Sequence, residues 1–138
     1  VDLQRFVAAQ DALGTYDRAL GELRAGRKRS HWIWFVFPQL AGLGFTLTTR
    51  AFAIADLAEA RAYLDHDVLD PRLRECCAVL LALEGVSAEQ VFGPIDVVKL
   101  RSSMTLFGRA APDEAVFAEV LDRFFDGLED ERTVRLLG

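Results

Sequence analysis

The chain has 138 residues, 51% of them hydrophobic, so it can bury one sizeable core without metal or disulfide staples and is not a disordered segment. A net charge of −5 argues against general nucleic-acid binding, which depends on a basic surface to neutralise phosphates. The two cysteines are neighbours, Cys76 and Cys77, which excludes a disulfide framework and a thiolate metal cluster, and no apolar run approaches the ~18 residues of a membrane span.

In chain order, Asp2 is placed to cap a first helix with Leu3, Phe6 and Val7 on one face. Gln10 stands where that stripe calls for an apolar residue. Asp11-Ala-Leu-Gly-Thr15 breaks the pattern, and Thr15 caps a second helix with Tyr16, Ala19, Leu20 and Leu23 in its stripe. Gly26 ends that helix, and Arg24, Arg27 and Lys28 stand where a helix C-terminus favours positive charge. Next comes RSHWIWFVFPQL, residues 29–40. By propensity it reads as a buried strand, but its hydrophobicity does not alternate and no second β-rich segment offers a partner. The pattern instead predicts a short central helix over 31–36, capped by Ser30 and stopped by Pro38.

A loop through Gly42 and Gly44 leads to a helix capped by Asp56, with Leu57, Ala60 and Leu64. Asp70-Pro71 opens the following helix, whose wide stripe of Leu69, Leu73, Cys76, Cys77, Leu80 and Leu81 marks it as central before Gly85 stops it. Ser87-Ala-Glu-Gln90 is a capping box for one or two turns up to Phe92. Pro94 opens a helix with Val97, Leu100, Met104 and Phe107 in 3-4-3 spacing. Pro112 opens another with Val116, Phe117, Val120, Leu121, Phe124 and Phe125, and a last turn runs from Glu131 to Leu137. Without repeats or an interdomain linker, residues 1–138 are expected to form one all-α, compact multihelical domain with central buried helices.

Three clusters could carry chemistry. On the predicted 31–36 helix, His31, Trp34 and Phe35 share a face while Trp32 and Val36 lie on another. An aromatic wall with an imidazole at its rim suits stacking of a planar ligand, and core packing with satisfied indole N–H groups is the competing reading. Arg27, Lys28 and Arg29 either complement the helix end or meet a phosphate or carboxylate. On the Pro94 helix, Asp96, Lys99 and Ser103 fall three and four apart, flanked by Arg101 and Ser102. The order Lys-x-x-Ser reverses the Ser-x-x-Lys pair of β-lactamase-type enzymes, so no nucleophile motif is present. An Asp96–Lys99 ion pair, with both serines bonding back to helix carbonyls, competes there with a polar binding wall.

The remaining residues read as architecture. In Asp65-His66-Asp67 three adjacent residues cannot easily converge on one ion, so a turn capped by Asp67 is expected and no metal site. Cys76 and Cys77 are expected to be small core residues. Gln10 either bonds a buried backbone group or reaches into a pocket.

The strings DLQRFVAAQ, LRAGRKRSHWIWFVFPQLAGLG, EARAYLDHDVLDPRLREC and DVVKLRSSMTLFGRA, taken together, resemble the bacterial domain-of-unknown-function family numbered 1810. The resemblance runs in order from Asp2 to Leu137, and its His-Trp-x-Trp-Phe-x-Phe-Pro-Gln and Lys-Leu-x-Ser-Ser-Met-Thr-Leu-Phe strings are long enough to be specific. It implies a single, mainly helical domain with two buried central helices, and it supplies no activity. A calpastatin label sometimes given to such chains is set aside, because an inhibitor of that kind is disordered and this chain is rich in packable residues. Two stretches depart from the family pattern: Asp11 to Thr15 is longer, and Gly44-Phe45-Thr46 more apolar.

Two functional readings follow. In the first, the chain is a cytoplasmic small-molecule or anion (nucleotide-like) binding protein with a pocket between the His31–Gln39 and Asp96–Ser103 segments. Trp34 stacks there, His31 and Gln39 hydrogen-bond, Ser102 and Ser103 flank, and Lys99 or Arg27 meets the negative charge. No cofactor, metal or membrane partner is expected and no catalytic residue is assigned; for any transfer or hydrolysis, His31 is the general acid–base candidate. In the second, the chain is a non-catalytic helical protein–protein interaction module whose polar clusters are structural.

Overall fold

The computed structural model describes residues 2–138. In chain order the helices are α1 (Gln4–Asp11), α2 (Thr15–Arg24), α3 (Ile33–Val36), α4 (Leu47–Ala51), α5 (Leu57–Leu64), α6 (Leu69–Ala82), α7 (Ala88–Ala110), α8 (Ala115–Phe125) and α9 (Glu131–Leu137), with a 3₁₀ turn at Ala12–Gly14. The fold is all-α, as the capped and periodic segments predict. The extended pairing is a parallel bridge between Leu40 and Ile54, in which Ile54 N–H donates to Gln39 O and Ala41 N–H to Ile54 O, each at 2.8 Å. Among the described residues no helix is long and apolar enough to cross a membrane.

Two helices run through the centre. In α6, Leu69, Leu73, Cys76, Cys77 and Leu80 are buried, the expected stripe except for half-buried Leu81. In α7 every residue from Ser102 to Phe107 is buried, because α5, α8 and α9 pack around it and leave no solvent face. The α2 stripe of Tyr16, Ala19, Leu20 and Leu23 is buried and packs on α6. The apolar side chains among these join one continuous hydrophobic cluster that includes Trp32, Ile33, Phe35, Val36 and Phe37.

Several boundaries differ from expectation for local reasons. Helix α3 is a single turn starting at Ile33, so its cap position is Trp32; Ser30 lies two residues ahead of it, with its hydroxyl bonded to Glu22. Thr15 is the first residue of α2 and donates its hydroxyl to Ala12 O at 2.6 Å, while left-handed Gly14 holds the cap position. Asp2 accepts the Gln4 N–H at 3.1 Å, although Leu3 is the residue at the helix boundary. The start of α6 is satisfied by His66, not Asp67: its Nδ1 accepts the N–H groups of Val68 and Leu69 at 3.1 and 3.3 Å. The segment expected as loop contains α4, capped by Thr46, whose Oγ1 accepts Thr49 N–H at 3.1 Å. Pro112 lies before α8 rather than in its first turn, and α6 already ends at Ala82, ahead of Gly85.

The capping box at Ser87 and the Pro94 helix form one helix with a kink. Gly93, at φ 82° and ψ 168°, has a backbone conformation that side-chain-bearing residues rarely adopt, and Pro94 restarts the helix where its missing N–H does no harm. Beyond the kink, the Ile95–Ser102 face of α7 lies beside the loop that follows α3.

Candidate functional site

The aromatic stretch is held in place by one carboxylate near the end of α2. Glu22 Oε1 accepts the N–H of Arg29 at 2.7 Å, the N–H of Ser30 at 3.0 Å and the indole N–H of Trp32 at 2.9 Å, and Oε2 takes the Ser30 hydroxyl. Burial by itself would raise the Glu22 carboxyl, but these four bonds outweigh it and hold the group at about 2. Trp32 is thereby fixed in the core, with its rings packed among Phe37 and Phe92. The Glu22 anchor was not legible from spacing, since nothing in the pattern of α2 marks this acid as the partner of an indole ten residues on.

From Trp32 a ladder of alternating charge and aromatic rings leads to the surface. The Lys28 ammonium sits 5.0 Å from the centre of the Trp32 ring, donates to Ser30 O at 2.5 Å and pairs with Asp96 Oδ2 at 2.8 Å. Asp96 Oδ1 pairs with Lys99 at 3.2 Å, and the Lys99 ammonium lies 5.2 Å over the Trp34 ring. Trp34 in turn faces the exposed His31 ring, with centroids 6.4 Å apart. Burial would raise the Asp96 carboxyl, but Lys28 and then Lys99 outweigh it and hold it below its ordinary range. Two ammonium groups on one carboxylate leave one positive charge uncompensated.

Beside this ladder lies a hollow of about 140 Å³. Ile95, Val98, Lys99 and Ser102 of α7 form one wall at i, i+3, i+4, i+7 spacing. Gln39, Leu43 and Gly44 supply the loop side, Thr49 comes from α4, and Asp130 and Arg132 come from the start of α9. Arg132 donates to Leu43 O at 3.3 Å, which ties α9 to that loop. Ile95 and Val98 are 73% and 55% exposed, and Phe45 and Leu47, neighbours of the lining in the chain, are 77% and 86% exposed. The mouth is therefore apolar.

The residues singled out from the sequence divide into groups. Gln39, Lys99 and Ser102 meet in the hollow. Trp34, which packs against the Lys99 ammonium, and His31, which packs against Trp34, do not line it. Exposed Arg27 borders a separate shallow depression with Lys28 and Arg29. Ser103 is fully buried, has no hydrogen-bond partner among the described residues and does not line the hollow. The expected back-bonding of the serines to helix carbonyls is made instead by Thr105, to Arg101 O at 2.8 Å. The Asp96–Lys99 pair is present, as its i, i+3 spacing suggests.

Gln10 is structural. Its Nε2 donates to Phe35 O at 2.7 Å and its Oε1 accepts from Arg72 at 3.1 Å, so the intruder on α1 satisfies the carbonyl of an aromatic turn 25 residues away. Among the described residues no group of three or more His, Cys, Asp or Glu side chains could hold a metal ion. Asp130, Arg132 and Thr49 were missed because their placement in the hollow depends on contacts between distant segments. The outward apolar pair Ile95 and Val98, on the same stripe as Lys99 and Ser102, was a legible signal.

A family model described as a protein of unknown function, DUF1810, matches residues 1–137. No curated protein matches the sequence. The crystal structure of the conserved hypothetical protein Rv1873 from Mycobacterium tuberculosis is similar at 51% identity and a TM-score of 0.95, with 99% of this chain and 96% of that chain covered.

Proposed function

The chain belongs to the DUF1810 family, whose function is unknown, and we propose that it binds a small anionic ligand in the hollow between the loop after α3 and the outer face of α7. The observation that carries this is the sharing of Asp96 by Lys28 and Lys99. Lys99 lines the hollow with unbalanced charge, and Arg132 adds a guanidinium whose hydrogen bond, among the described residues, is to a neutral carbonyl. On a chain of net charge −5, a recess with local positive excess concentrates anions. Gln39 contributes an amide to the same lining.

Size narrows the ligand. Sites that enclose drug-sized ligands run to roughly 300–1,000 Å³, so a hollow of about 140 Å³ takes a phosphate or carboxylate head and not a whole nucleotide. The remainder of a nucleotide-like ligand would lie outside, where Trp34 and His31 offer ring faces beside Lys99. Binding is the proposal, without a catalytic step. A cytoplasmic site of action fits the two free, buried thiols.

The test is a thermal-shift series with inorganic phosphate, acetate, AMP and ADP-ribose on wild type and Lys99→Gln. A ligand at a hundred times its dissociation constant adds about 2.7 kcal/mol, so a shift present in wild type and absent from folded Lys99→Gln supports the reading. Silence of wild type across the series overturns it. The second reading, a protein-interaction module, is favoured by the exposed Phe45, Leu47, Ile95 and Val98, an apolar rim that a lone ligand head would leave in water.

A further inference from the structure

The hollow described above offers hydrogen-bond acceptors as well as cations. Thr133 Oγ1 lies 3.3 Å from Ser102 Oγ and 2.6 Å from Asp130 Oδ2, which also accepts the Thr133 N–H at 2.9 Å. A threonine hydroxyl has one hydrogen, and an ionised carboxylate can only accept. The charge-assisted bond is the stronger, so the Thr133 hydrogen goes to Asp130. Ser102 must then supply the hydrogen between the two hydroxyls, and what it can present to the hollow is a lone pair. Asp130 Oδ1 has no donor among the described residues. Asp130 and Ser102 therefore act as acceptors toward a ligand, while Lys99 and Arg132 can only donate.

Resting on the anion-binding reading, we infer that the ligand is a small zwitterion of the amino-acid kind, carrying a carboxylate for Lys99 and Arg132, an ammonium for Asp130 and Ser102, and an apolar side chain for Ile95 and Val98. A simple anion would meet Lys99 and Arg132 but would also place its charge beside the Asp130 carboxylate. A simple amine would meet the opposite conflict at Lys99. A zwitterion satisfies both, and 140 Å³ suits a molecule of that size better than one with a phosphate and a sugar. The exposed apolar mouth then receives the side chain instead of facing water.

The experiment is calorimetric titration of the wild-type chain with L-leucine, with 4-methylpentanoate and isopentylamine as its deaminated and decarboxylated analogues, and with inorganic phosphate. Leucine is expected to bind on the order of tenfold more tightly than either analogue, the effect of one charged hydrogen-bonding group. Asp130→Asn, which keeps a capping oxygen for α9, is expected to erase the preference over 4-methylpentanoate and to leave that over isopentylamine. Thr133→Val provides a second variant: it frees the Ser102 hydrogen, so 4-methylpentanoate is expected to gain on leucine. Phosphate or 4-methylpentanoate binding as tightly as leucine in wild type overturns the zwitterion and leaves the anion reading standing. No binding by any probe, including phosphate, overturns both.

Discussion

The indole N–H of Trp32 donates to Glu22 Oε1 at 2.9 Å, so a carboxylate on α2 fixes the largest buried side chain of the following loop. Replacing Glu22 by Ala leaves that indole donor without its acceptor and is expected to cost ~1–3 kcal/mol, with Glu22→Gln milder because an acceptor remains. The pH dependence has a definite sign. The carboxyl is lowered from 4.5 to about 2 in the folded chain, so its contribution is complete above 4.5 and is lost as pH falls from there toward 2. Melting curves of wild type and Glu22→Gln should converge over that window.

Trp32 and His31 are neighbours with opposite fates. Trp32 is fully buried and packed against Phe37 and Phe92, so Trp32→Ala is expected to cost ~3–5 kcal/mol. His31 is exposed, and His31→Ala should stay within ~0.5 kcal/mol of wild type. Urea denaturation of the two variants measures both.

Asp96→Asn removes the carboxylate shared by two lysines. The Lys28 side chain is only 6% exposed, but Asp96 keeps some solvent contact, so the loss should fall short of the ~3–5 kcal/mol typical of a fully buried pair, at about 1–3 kcal/mol. The same change adds net positive charge beside the hollow. Phosphate should therefore bind Asp96→Asn more tightly than wild type, provided the variant remains folded at the titration temperature.

Gly93→Ala isolates backbone strain. A Cβ at this position meets nothing within 4 Å, yet φ is 82°. The expected cost of ~1–3 kcal/mol comes from the torsion itself, with an unchanged denaturant m-value. A neutral result would mean that the kink forms readily without glycine.

The thiols should be unreactive in the native chain. Burial pushes Cys76 up to about 12, partly offset by the Tyr16 hydroxyl, and burial also raises Cys77. An aromatic disulfide reagent at neutral pH should label neither until denaturant is added, and both afterwards.

How far each element was legible depended on whether its cause was local. The caps of α5 and α7 are side chains bonding the backbone three residues on, and Asp56 and Ser87 do so. The stripes of α2 and α6 recur at helical spacing and are buried as read. Two caps were misread, at α3 and at α6. Ser30 lies two residues ahead of the α3 cap position and bonds Glu22, and the imidazole of His66, not Asp67, takes the Val68 and Leu69 N–H groups. Helix α4 escaped notice because five residues beside two glycines form too short a pattern to show periodicity.

By itself the sequence determined most of the helices, the buried stripes of α2 and α6 and the central place of α6, because these depend on spacing and capping within a few residues; that α7 is the second central helix came from its packing. It also marked Lys99, Gln39 and Ser102 as polar groups worth attention. Only the tertiary structure decided that these three meet in one hollow while Arg27, His31, Trp34 and Ser103 do not line it. The reason is geometric: the walls come from the segment near Gln39, from α4, from α7 and from α9, segments up to about 90 residues apart, such as Leu43 and Arg132. They are brought together by tertiary contacts such as the packing of α9 on α7 and the bond from Arg132 to Leu43 O. No periodicity within one segment records the position of another.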